Sequence, residues 1–162
     1  MLKKLLAAIT LAATISHAAA QEATPADAQT APAEVSYLTG MRLLPGAVRP
    51  AGVEAQKVQS SYITQLSSIL RDFYGTGNYC GTGELLAWQT DGTTNPFDAV
   101  EGTMNRLRAF GYPFTVDWEE PGLIIFTARS QRMNIFGAWG VYQDGAMLMW
   151  CRAEGPLRKQ SR

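Results

Sequence analysis

Histidine is almost missing from this 162-residue chain; the only one is His17. It falls inside a stretch that reads as a removable leader, so the working protein is expected to contain none. That excludes Ser-His-Asp and Cys-His catalysis and any zinc, copper or iron site built on imidazole. A basic surplus is also lacking, because 14 Lys and Arg face 14 Asp and Glu. A general nucleic-acid binder needs a basic face to displace counterions, so that class is excluded too. Cysteine is scarce, with only Cys80 and Cys151. No apolar run after the leader is long enough to span a bilayer core, which takes roughly 20 residues. No internal repeat is visible.

The leader has three parts. Lys3 and Lys4 supply the positive start, residues 5–15 form an apolar run broken only by Thr10 and Thr14, and Ala18-Ala19-Ala20 supplies small residues before the cut. This is the pattern of a secretory signal, with cleavage expected between Ala20 and Gln21. Lys3 and Lys4 leave with it, so 12 basic residues stand against 14 acidic ones and the net charge becomes −2. Export to the periplasm or beyond places the two cysteines in an oxidising compartment, where an even count of two permits one connectivity. A Cys80–Cys151 disulfide is therefore expected. Closing so long a loop stabilises by about 4 kcal/mol in the chain-entropy model.

Residues 21–34 are Ala, Pro, Thr and acid without a large apolar side chain. Such a stretch cannot offset its ordering entropy and reads as a disordered linker. A single α+β domain is expected over 35–155, followed by a basic tail over 156–162. Residues 35–50 carry Gly40, Pro45-Gly46 and Pro50 and read as an irregular lead-in. Val58, Tyr62, Leu66, Ile69 and Phe73 recur at three- and four-residue steps, which predicts a helix over 53–74. The glycine-rich stretch 75–83 reads as a loop. No Gly-Lys-Ser/Thr follows it, so it lacks the phosphate-cradling signature.

A strand is predicted over 84–90. Asn95-Pro96-Phe97-Asp98 then combines an N-cap, a proline at the first helical position and an acid in the first turn. The stripe Phe97, Val100, Met104, Leu107 and Phe110 predicts the second helix, ended by Gly111. Alternating runs separated by Pro121-Gly122 and Asp144-Gly145 predict a closing antiparallel meander. The fold expected is α+β, with two helices on a mostly antiparallel four-stranded sheet in the order helix, strand, helix, three-strand meander.

Four features compete as sites. Trp88, Trp118, Trp139 and Trp150 all fall on predicted strands and could form an aromatic interaction surface. Gly137 and Gly140 inside a strand mark a close approach, with Trp118 or Trp150 as the expected neighbouring ring. Asp117, Glu119 and Glu120 are the acids an acid-catalysed hydrolase would need, although Glu119 and Glu120 sit at a hairpin tip where charge is solvated. Arg106, Arg108, Arg129, Arg132 and Arg152 could bind anions, but their default is a solvated or salt-bridged state. No catalytic, cofactor-binding or metal residue is assigned, and no cofactor is expected. The expected role is a small exported, non-enzymatic binding or interaction module whose partner is a protein or a small apolar ligand. A structural envelope protein is the alternative.

Overall fold

The computed structural model describes residues 29–90 and 94–158. Along them run β1 (Thr30–Pro32), β2 (Ala47–Pro50), α1 (Ala55–Tyr74), β3 (Tyr79–Gln89), α2 (Pro96–Ala109), β4 (Phe114–Glu120), β5 (Leu123–Arg129), β6 (Asn134–Tyr142) and β7 (Gly145–Glu154). The strands pair antiparallel in one sheet of order β1-β2-β3-β7-β6-β5-β4. The α+β class holds, but the expected four-stranded sheet is wrong, because the sheet has seven strands.

The extra strands have physical reasons. β1 has 3 residues and β2 has 4, and each ends on a proline. Neither is long enough to show a period of two, and β2 is set by its partner, with Ala47 opposite Trp88 and Val48 opposite Ala87. β3 begins at Tyr79, inside the stretch expected to be a loop. There Cys80 pairs with Ala153 and Gly83 with Cys151, so a bulge absorbs the small residues between them. The meander has four strands, β4 to β7, where three were expected. Residues 21–28 of the expected linker lie outside the described residues, and β1 occupies part of the remainder.

One helix covers each face of the sheet. Along α1, Tyr62, Leu66, Ile69, Leu70 and Tyr74 are buried against Leu85, Ile125, Phe136 and Met149. Along α2, Val100, Met104 and Leu107 are buried against Leu86, Trp139, Leu148 and Trp150. Each fully buried leucine in these layers contributes about 1.5–3 kcal/mol relative to exposure. Phe97 and Phe110, expected in the α2 stripe, are exposed and lie outside it.

The ends of α2 follow local chemistry. The Asn95 side chain accepts from the Phe97 N–H at 3.1 Å, and Pro96 occupies the first turn. Gly111 follows with φ +97°, a conformation that glycine adopts without a Cβ penalty. Two ends of the fold are fastened through Asn78. Its amide donates to the Tyr74 carbonyl at 2.6 Å, and its oxygen accepts from the Leu157 N–H at 2.9 Å. Leu157 is thereby buried on the α1 side of the sheet.

Cys80 and Cys151 form the expected disulfide, with their Cα atoms 5.5 Å apart and a separation of 71 positions in sequence. It bridges neighbouring strands β3 and β7 at the bulge. Ala20 and Gln21, the expected cleavage pair, lie outside the described residues. Among the described residues no helix is long and apolar enough to cross a membrane.

Candidate functional site

The four tryptophans do not share a face. Trp88, Trp139 and Trp150 pack beneath α2, with the Trp88 and Trp139 rings 5.4 Å apart, whereas Trp118 packs on the α1 side. Trp139 and Trp150 have no exposed surface and Trp88 has 4 %, while Trp118 is half-buried. The expected aromatic sheet surface is corrected accordingly: a helix on each face turns these rings into core. Burial leaves indole N–H groups needing partners. Trp139 Nε1 donates to Met104 Sδ at 3.4 Å, and Trp150 Nε1 donates to Glu84 at 3.1 Å.

The two strand glycines do accommodate rings, but not the expected ones. A methyl group at Gly137 would collide with the Phe126 ring, and one at Gly140 would lie 2.8 Å from the Tyr142 hydroxyl. Neither Trp118 nor Trp150 is the neighbour that requires them.

The acids of β4 are separated by the strand itself. Its register slips between Val116 and Trp118, so Asp117 and Trp118 both turn to the α1 side. Asp117 Oδ2 accepts from the Tyr74 hydroxyl at 2.9 Å and from the Thr127 hydroxyl, and these two hydroxyls are 2.8 Å apart. This knot ties the end of α1 to β4 and β5. Glu119 is exposed, and its place opposite Ile124 sets it on the α2 side. Asp117 and Glu119 therefore do not converge on one substrate. Among the described residues no group of three or more His, Cys, Asp or Glu is placed to hold a metal ion.

The arginines are spent one by one. Arg106 donates to the Leu43 carbonyl at 3.0 Å, Arg129 donates to the Leu157 carbonyl at 3.0 Å, and Arg152 pairs with Glu154 at 2.7 Å. Arg108 lies over the Phe114 ring at 4.6 Å, and Arg132 is exposed. They form no convergent anion cradle.

Two further features lie outside the tryptophans, strand glycines, acids and arginines. The first is Glu84, a carboxylate only 2 % exposed. It pairs with Arg49 at 3.1 Å and accepts from the Ser36 hydroxyl at 2.7 Å, the Tyr37 N–H at 3.1 Å and Trp150. Every partner belongs to the protein, so Glu84 is a fastening and not a free acid. Its sequence signal is its parity: it shares a face with Leu86 and Trp88, both buried.

The second is a half-open cavity of about 170 Å³ on the α1 side, near the β1–β2 edge. Val48 and Pro50 form its outer wall, Ala55, Val58 and Tyr62 of α1 form its roof, and Leu85, Ala87 and Met147 form its floor. The signal for it is small side chains on facing elements, since Ala55 and Ala87 leave room where Leu or Ile would fill it. Arg49 borders the cavity with its backbone, because its guanidinium lies on the other face with Glu84. Glu54 stands exposed at the mouth and pairs with Lys57 at 3.4 Å. Burial pushes the Tyr62 phenol up from 10.0. Burial, then Tyr62 and Asp144, pushes that of Tyr142 up to about 12. Both rings are neutral at physiological pH. The cavity can thus desolvate an apolar molecule, with Glu54 as the carboxylate among its lining residues.

No protein-family model, curated protein or solved structure matches the chain.

Proposed function

We propose that the chain is an exported, non-enzymatic binding domain that holds a small apolar ligand in the cavity between α1 and the floor of β3 and β7. The half-open, mainly apolar cavity of about 170 Å³ carries this reading. Ligand sites are concave and apolar with few polar groups, and this one opens to solvent between a sheet edge and a helix start. The Cys80–Cys151 bridge supports the export half, because such bonds persist in oxidising compartments.

Ala87 provides the test. It lies on the cavity floor and is only partly buried, so Ala87→Phe fills the space without displacing the sealed core. Calorimetric titration with toluene is expected to saturate at one site in the native protein, with a dissociation constant of about 1 mM or tighter. In Ala87→Phe the affinity falls by about tenfold or more, while the melting temperature stays within a few degrees. Absence of saturable binding in the native protein, or equal binding in the variant, refutes the reading.

A further inference from the structure

We infer that the cavity takes a neutral molecule built on a single aromatic ring. This rests on the binding function proposed above and adds the chemical class of the ligand. Three properties of the cavity lead to it.

The first is size. The volume is about 170 Å³, and an apolar cavity of about 150 Å³ stays dry and accepts benzene. A molecule of one ring therefore fits the room available.

The second is charge. On β2, Ala47 and Arg49 face α2, so the Arg49 guanidinium is held on the far side of the sheet by Glu84 at 3.1 Å. Among the described residues lining the cavity, the remaining ionic group is Glu54, exposed at the mouth and already paired with Lys57 at 3.4 Å. An anion entering the cavity loses its hydration and meets no cation, and burying an unpaired charge is strongly unfavourable.

The third is the surface the ligand touches. Tyr62 contributes a ring to the roof and Met147 a thioether to the floor, each with 9 % of its surface exposed. A ring offset against tyrosine gains more than its buried area alone gives, and sulfur beside an aromatic edge adds a further attraction. An alkyl chain of the same volume gains neither.

Three probes of similar size separate these properties: toluene, benzoate and hexan-1-ol, titrated into the native protein, Met147→Leu and Ala87→Phe. In the native protein toluene is expected to bind at least about tenfold more tightly than benzoate and about threefold more tightly than hexan-1-ol. Met147→Leu keeps the volume and removes the sulfur, so it shrinks the preference for toluene over hexan-1-ol while leaving hexan-1-ol binding unchanged. If benzoate or hexan-1-ol binds as tightly as toluene and Ala87→Phe still abolishes binding, the ligand class is wrong and the binding function stands. If none of the three binds the native protein, the binding function itself fails. A Met147→Leu protein with an unaltered toluene preference overturns the sulfur contact and with it the aromatic assignment.

Discussion

Glu84 is a charge placed where water cannot reach it, and its four partners explain why it is tolerated there. Arg49 neutralises it, while Ser36, the Tyr37 N–H and Trp150 fill its remaining lone pairs. Through Ser36 and Tyr37 it clamps the segment before β2 onto the sheet, and through Arg49 it fixes β2 itself. A buried pair adds little net stability over an apolar replacement, because desolvation offsets the attraction, but removing one partner strands the other. Glu84→Ala leaves Arg49 charged with only 11 % of its side chain exposed, so urea unfolding is expected to lose about 3–5 kcal/mol. A loss below about 1 kcal/mol, the worth of an exposed pair, refutes this account. Tyr142 makes a pH prediction of opposite origin. Its phenol rises from 10.0 to about 12 through burial, then Tyr62 and Asp144. Between those values the folded chain keeps a proton that the unfolded chain has released. Stability is therefore full below about pH 10 and falls as pH rises through about 12. Tyr142→Phe is expected to flatten that alkaline slope in urea midpoints taken across the interval, and an unchanged slope refutes the assignment.

Elements whose residues carry their own instructions were legible in the sequence, and elements made by a neighbour were not. The stripe Tyr62, Leu66 and Ile69 predicts α1, and Asn95-Pro96 with Gly111 predicts both ends of α2. Pro121-Gly122 is the turn between β4 and β5, whereas Asp144-Gly145 is one residue late, because Gln143-Asp144 forms the turn and Gly145 already pairs with Tyr142 at the start of β7. β1 and β2 escape notice because they are short, carry prolines and borrow their register from β3. The start of β3 hides within glycines, which mark a loop by composition and allow a bulge in fact. At Gly137 a close approach is readable, but the partner is not. Phe126 sits directly across on β5, and that pairing depends on the register set by the turn between β5 and β6, closed by the Ser130 N–H on the Met133 carbonyl. Along β5, Ile124 and Phe126 lie on the α2 side and Leu123 and Ile125 on the α1 side, so apolar residues of both parities are covered. That parity is also what buries Trp88, Trp139 and Trp150, so the same observation excludes the aromatic surface they suggested.

At the scale of the whole molecule, the sheet is a partition with a separate core on each side. The α2 side is sealed with tryptophans and the Glu84 clamp, and the α1 side holds the disulfide, the Asp117 knot and the cavity. The cavity was not legible because it lies between elements distant in sequence: β2, α1, β3 and β7 meet only after folding. The disulfide was legible because two cysteines leave a single choice once export is granted. It pins β3 to β7, the pair that joins the two halves of the sheet, near the Tyr79–Glu154 end of their ladder. The proposed export would couple compartment to stability through this bridge, and one comparison tests both. Produced with residues 1–20, the chain is expected outside the cytoplasm with Gln21 first and no thiol labelled under denaturing, non-reducing conditions. Produced without residues 2–20, it is expected to remain in the cytoplasm with both Cys80 and Cys151 labelled and with unfolding stability lower by about 4 kcal/mol. Retention of the full-length chain inside the cell, or free thiols in the exported form, removes the compartment argument. Equal stability of the bridged and reduced forms shows instead that β3 and β7 hold the centre of the sheet by pairing alone.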